Sequence, residues 1–129
     1  MRGRGVPLAF FATVLGGQPT RMDAEGYDGY EFWLGADLTG IGGALVVMRE
    51  DEPTVPDEPY CLVWGAREGT TYGGVRAASI TEGQVDFDLT PGNAAELDVP
   101  RKFRITFAPE STESVRQGLK RTLGEDIVS

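Results

Sequence analysis

The stretch YCLVWGAREGTTYGGVRAASITEGQVDFDLTPGNAAELDV, residues 60–99, decides the fold of this chain. It predicts, in order, a strand, a short connection, a hairpin and a brief helical turn. In its last strand, Val85, Phe87 and Leu89 fall on one face, and polar residues alternate with them. Strands with one apolar and one polar face are typical of an antiparallel sheet that meets water on one side.

The C-terminal third continues this pattern and adds two helices. Residues 102–107 alternate again, with apolar side chains at every second position. Thr90 and Pro91 suit the N-cap and first turn of a short helix. A longer helix is predicted over residues 112–123, with Ser111 as its N-cap and an apolar residue at every fourth position from Val115. We therefore predict an α+β fold, a mainly antiparallel sheet of about six to seven strands with a C-terminal helix packed on one face.

Further strands are predicted nearer the N-terminus, at residues 8–15, 30–34, 44–48, 60–64 and 72–80. The run ALVVM (residues 44–48) is almost continuously apolar, which predicts a strand covered on both faces. Residues 16–29 are rich in Gly, Pro and Asp and predict a connection without strand structure. Arg2 and Arg4 before residues 8–15 leave a secretory signal open as an alternative, although Thr13 interrupts the apolar run.

Composition narrows the possible functions. The chain has 129 residues, a net charge of −8, no histidine and one cysteine. This length predicts a single domain over residues 1–129. Without histidine, a Ser-His-Asp or Cys-His nucleophile cannot form within the chain, and one cysteine suits a reducing cytoplasm. The acidic charge disfavours nucleic acid and suits a basic partner, although it also serves solubility alone.

Three polar patterns are candidates for chemistry. The glycines of residues 35–43 precede a strand, whereas a phosphate-binding loop opens a helix, so a turn is favoured there. Asp86 and Asp88 share one strand face, where a solvated pair is far commoner than a catalytic one. The segment EDEPTVPDE (residues 50–58) lacks the glycine of a calcium loop, so it is interpreted as an acidic loop.

Several segments together resemble the immunity protein 10 family of bacterial polymorphic toxin systems. They are LVVMRE (residues 45–50), YCLVWG (60–65), the turn at 72–75, QVDFDLTPGNAAEL (84–97) and SVRQGLKRTL (114–123). The resemblance covers roughly residues 30–124 and lies in the order and spacing of structural elements. It implies an α+β immunity protein, without enzymatic activity or cofactor, that neutralises a cognate toxin by binding it in the cytoplasm.

The acidic loop then becomes a candidate contact for a basic toxin domain. Its predicted toxin-binding residues are Glu50, Asp51, Glu52, Asp57 and Glu58. No nucleic-acid or membrane partner and no metal are expected, while the oligomeric state and the toxin's chemistry stay open. Two other classes remain as alternatives, namely a β-rich small-molecule-binding module and a hydrolase that uses carboxylates alone. An exposed aromatic among Tyr30, Trp33, Trp64 and Tyr72 would be a candidate interface anchor.

Overall fold

The computed structural model describes residues 10–21, 28–36, 43–50, 60–64 and 69–129. The described part contains two helices, α1 (Pro91–Leu97) and α2 (Thr112–Leu123). Its strands are β1 (Phe10–Ala12), β2 (Val14–Arg21), β3 (Asp28–Gly35), β4 (Ala44–Glu50), β5 (Tyr60–Trp64), β6 (Gly69–Tyr72), β7 (Val75–Thr81), β8 (Gln84–Leu89) and β9 (Lys102–Phe107). The predicted α+β class is confirmed.

The strands form two sheets, where the sequence predicts one. A four-stranded sheet has the order β1-β9-β8-β7, and a five-stranded sheet has the order β2-β3-β4-β5-β6. All pairings between named strands are antiparallel except that of β1 with β9. The nine described strands exceed the predicted six to seven because the chain changes sheet twice, at Thr13 and at Gly73–Gly74, and each change divides one predicted strand.

The second change of sheet depends on two glycines. Gly73 and Gly74 have φ values of +68° and +90°, a region that L side chains rarely adopt. Their backbone ends β6 and starts β7, so the predicted strand over residues 72–80 is interrupted after Tyr72. Asn93 of α1 reaches this bend, and its Nδ2 donates to the carbonyl oxygen of Tyr72 at 3.0 Å. The short helix therefore fixes the bend between the sheets.

The two sheets share one hydrophobic core. Trp64 of β5 is completely buried and lies edge-on to Phe10 and Phe103 of the four-stranded sheet, with ring centroids 5.9 and 6.0 Å apart. The alternating residues of β8 and β9 enter the same cluster, as their pattern predicts. Burial of such large side chains from both sheets is what holds the sheets together.

The C-terminal helix packs on the five-stranded sheet, as predicted. It contacts β2, β3 and β4, and its apolar residues Val115, Leu119 and Leu123 are buried. Arg49 of β4 donates from Nη1 to the carbonyl oxygen of Thr122 at 2.9 Å, which fixes the last turn. Ser111 precedes α2 but makes no side-chain capping bond, because a 3-10 turn over Pro109–Ser111 leads directly into the helix.

Two further predictions are wrong. Residues 16–21 belong to β2 instead of a connection, because β2 is an edge strand, where glycine and Pro19 are tolerated. The strand at residues 44–48 is present, but it is not covered on both faces. Leu45 and Val47 have no exposed surface, whereas Val46 and Met48 on the opposite face are half-buried.

Candidate interaction surface

The outward face of the five-stranded sheet is apolar and partly open to solvent. Side chains alternate along each strand, so one residue set enters the core and the other forms the opposite face. We call this second set the open face. Its apolar side chains are Val14, Trp33, Ala44, Val46, Met48, Cys61, Val63 and Tyr72, and its described polar side chains are Gln18, Glu31 and Thr70. The apolar side chains are half-buried except Tyr72, whose surface is 58% exposed.

Strand register aligns the open face into rows. In the central row Trp33 pairs with Val46, and Val46 pairs with Val63. Gly16 of the edge strand stands opposite Trp33, and a Cβ placed on Gly16 would meet no atom within 4 Å. Within the described part of the chain, the space above the Gly16 backbone is therefore unoccupied, and Gly16 has no side chain to cover the flank of Trp33.

A second row adds polar groups and an exposed aromatic. It runs from Gln18 through Glu31, Met48 and Cys61 to Tyr72. Gln18 donates from Nε2 to Glu31 at 3.3 Å, which holds the carboxylate at one edge of the face. Among the described side chains of this face, Glu31 is the one that carries a charge. The arrangement is an apolar centre with a polar, acidic margin.

The outward face of the four-stranded sheet is different because its charges are paired. Arg104 donates from Nε to Oδ1 of Asp86 at 2.7 Å, and this hydrogen bond raises the pKa of Arg104. Oδ1 of Asp88 lies 3.7 Å from Nη2 of Arg101, close enough for an ion pair. Each carboxylate of the candidate catalytic pair thus faces a guanidinium, an arrangement typical of a solvated sheet face.

A groove of about 830 Å³ lies between α2 and the strands β2 and β3. Tyr30 lies at its side, with the guanidinium carbon of Arg121 4.6 Å from the ring centroid. Glu113 also lines the groove, and hydrogen bonds from Gln117 and then Arg116 lower its pKa. Both signs of charge line this groove, so it presents no single sign to a partner.

The predicted toxin-binding residues lie mostly outside the described residues. β4 ends at Glu50 and β5 begins at Tyr60, so Asp51, Glu52, Asp57 and Glu58 belong to the connection between these two strands. β4 and β5 also carry the centre of the open face. The acidic segment therefore connects two strands of the sheet that carries the open face.

The described residues form neither a metal-binding cluster nor a membrane-spanning helix. Within them, no group of three or more His, Cys, Asp or Glu side chains is placed to hold a metal ion. Neither described helix is long and apolar enough to cross a membrane.

Sequence reasoning missed the open face because it assigned both faces of residues 44–48 to the core. The sequence pattern of apolar residues in a strand is the same whether the second face of the sheet is covered by protein or left open to solvent. The one available signal was Tyr72, an aromatic residue beside a turn, which the sequence marks as an interface anchor if exposed. Trp64, by contrast, proves to be a core residue.

Comparison with known proteins gives one match. A protein-family model described as Immunity protein 10 matches residues 19–115. Comparisons with curated proteins and with solved structures found no match. The matched range includes β3 to β9 and α1, and thus both the acidic segment and most of the open face.

Proposed function

The chain belongs to the immunity protein 10 family, and we propose that it neutralises a cognate bacterial toxin by binding it directly. The single observation that carries this proposal is the family match, which extends over residues 19–115. Inhibition by binding needs a complementary surface and neither a cofactor nor a catalytic group. We propose accordingly that the chain is not an enzyme and that it acts in the cytoplasm of the cell that makes the toxin.

The chain's charge supports a basic toxin as the partner. With 20 acidic and 12 basic side chains, the protein attracts a cationic surface at long range and accelerates encounter. We propose that Glu50, Asp51, Glu52, Asp57 and Glu58 contribute most of this attraction. If the toxin is a nuclease, this segment would occupy the channel that otherwise holds the phosphate backbone of its substrate.

Calorimetric and kinetic titration against the C-terminal domain of the large protein encoded beside this chain tests the proposal. Tight binding in a one-to-one complex is the expected result, and no detectable binding at micromolar concentrations would contradict the proposed function. The titration is repeated at about 50 and about 500 mM salt, since exposed charge attraction is largely screened at the higher value.

The contribution of the acidic segment is tested by charge reversal of Asp51, Glu52, Asp57 and Glu58 to lysine. A matched control reverses four exposed carboxylates elsewhere, namely Glu82, Glu110, Glu125 and Asp126. Both variants change the net charge of the protein equally. Comparing their binding therefore distinguishes a local contact of the acidic segment from the effect of net charge. We expect the first variant to slow association at least about tenfold more than the control. Equal rates and equal salt dependence would refute the role of the segment.

A further inference from the structure

We infer that the open face is the surface with which this chain contacts its toxin, and that it fits a toxin surface with an apolar centre and a cationic margin. This inference rests on the proposed function and adds the contact surface and its chemistry. The open face consists of side chains that the structure describes, whereas the acidic-segment proposal concerns residues 50–58.

The first step is the composition of the open face. Water-exposed sheet faces usually carry polar residues at alternating positions, as β8 and β9 do in this same protein. The corresponding positions of the five-stranded sheet carry Trp33, Met48 and Tyr72 among aliphatic residues. The described polar side chains of this face lie on β2, β3 and β6 and are Gln18, Glu31 and Thr70. Tryptophan, tyrosine and methionine are enriched at the centres of protein interfaces, where they dominate the binding energy.

The second step is the size of the face. Five strands about 4.8 Å apart and three rows about 6.8 Å apart span about 24 by about 20 Å, so the face measures about 500 Å² in projection. A stable interface of standard size buries about 800 Å² on each partner. The open face is therefore large enough for the apolar centre of an interface and too small to be all of it. A surrounding polar margin must supply the rest.

The third step is charge. Glu31 is the charged side chain among the described residues of the face, and the acidic chain carries a net charge of −8. A second copy of this chain would bring the same negative charge to the contact, which costs free energy. A cationic toxin would instead pair with Glu31 at the margin while an apolar patch covers Trp33 and Val46. Charge complementarity thus favours the toxin over self-association.

The other described surfaces fit this role less well. On the four-stranded sheet, Asp86 and Arg104 already face each other as an exposed ion pair, so this face presents less unpaired charge to a partner. Phe11, 52% exposed, lies on that sheet next to Thr106 at the edge strand, and the described part of that sheet has no second exposed large apolar side chain. The groove beside α2 is lined by side chains of both charge signs, so it offers a partner no single sign to complement.

Gly16 provides a variant that blocks the face without touching the core. A Cβ at this position meets nothing within 4 Å, and Gly16 has no positive φ, so a longer side chain fits the strand. Gly16→Lys would place a long cation beside Trp33, in the path of the partner. Ser79→Lys is the matched control, since Ser79 is exposed on the outward face of the other sheet and receives the same charge.

Binding of each variant to the neighbouring toxin domain is measured by calorimetry, and urea unfolding checks that stability is unchanged. We expect Gly16→Lys to weaken binding by about 30-fold or more, and Ser79→Lys to stay within about threefold of the unchanged chain. Tyr72→Ser, which removes a largely exposed ring, is expected to weaken binding about tenfold and serves as the second variant.

The outcomes separate the two proposals. If the unchanged chain binds the toxin and both open-face variants bind equally well, this inference is wrong while the proposed function stands. If the unchanged chain does not bind at all, the proposed function itself fails. Light scattering gives a third outcome: a dimer that Gly16→Lys converts to monomer without loss of toxin binding would assign the face to self-association and overturn the inference.

Discussion

At Gly118, α2 packs directly against Phe32 of the five-stranded sheet, and replacing this glycine with alanine is expected to destabilise the protein. Gly118 is buried, and a Cβ at this position would lie 2.7 Å from Cγ of Phe32 and nearer still to two other ring carbons. Nonbonded carbons pack about 3.5–4.0 Å apart. The helix or the ring must therefore move by about an ångström to accept one methyl group.

Two opposing effects set the magnitude. In a helix interior, alanine is favoured over glycine by about 1 kcal/mol. Overpacking a filled core typically costs about 1–3 kcal/mol and occasionally more. Phe32 is only 3% exposed, so its ring cannot turn toward solvent to relieve the clash. The cost of overpacking thus outweighs the gain in helix propensity, and we expect Gly118→Ala to lower the free energy of unfolding by up to about 2 kcal/mol.

Urea unfolding followed by tryptophan fluorescence measures this change, because Trp64 moves from a dry core into water. Gly92→Ala is the matched control: it adds the same methyl group in α1, where a Cβ meets nothing within 4 Å. The control is expected to be neutral or up to about 1 kcal/mol more stable. Equal stabilisation by both substitutions would refute the reasoning, since it would mean that α2 does not rest on Phe32.

Three further predictions concern the α1 region and the turn that joins the sheets. Thr90→Ala removes the Oγ1 that accepts from the backbone N–H of Asn93 at 3.3 Å, and urea titration should show a loss of about 1 kcal/mol. Gly73→Ala is expected to lower the free energy of unfolding by about 1 kcal/mol because the φ of Gly73 is +68°. Gly74→Ala is expected to lower it further, because its Cβ would also collide with Asn93. If the same titration shows a smaller loss for Gly74→Ala than for Gly73→Ala, the packing of α1 on this turn is contradicted. Burial raises the pKa of Tyr60 above its ordinary value of 10.0, although its hydroxyl accepts a hydrogen bond from the backbone N–H of Val75. Above about pH 10 the unfolded chain therefore loses this proton before the folded chain does, and the free energy of unfolding falls as pH rises. Urea titrations between about pH 9 and about pH 11 measure this fall in the free energy of unfolding. We expect the fall to be shallower in Tyr60→Phe than in the unchanged chain. Equal slopes in the two proteins would show that the phenol does not contribute.

The sequence by itself determined the local elements whose signals are complete within a few residues. Alternation along residues 84–89 and 102–107 fixes which side chains enter the core, because each strand face repeats every second residue. Thr90 before Pro91 marks the start of α1, and the stripe beginning at Val115 marks the buried face of α2. These patterns also carry the family resemblance, and the family match confirms it.

The tertiary structure alone decided how the strands divide into sheets and which apolar face stays open. Residues 16–21 can form a strand because β2 lies at the edge of its sheet, where glycine and proline are tolerated. This position follows from the strand order, which the local composition does not reveal. In the same way, Val46 and Val47 are identical residues one position apart, yet one belongs to the open face and the other has no exposed surface. A side chain's own hydrophobicity favours burial on either face, and only the packing of α2 and the second sheet determines which face receives a cover.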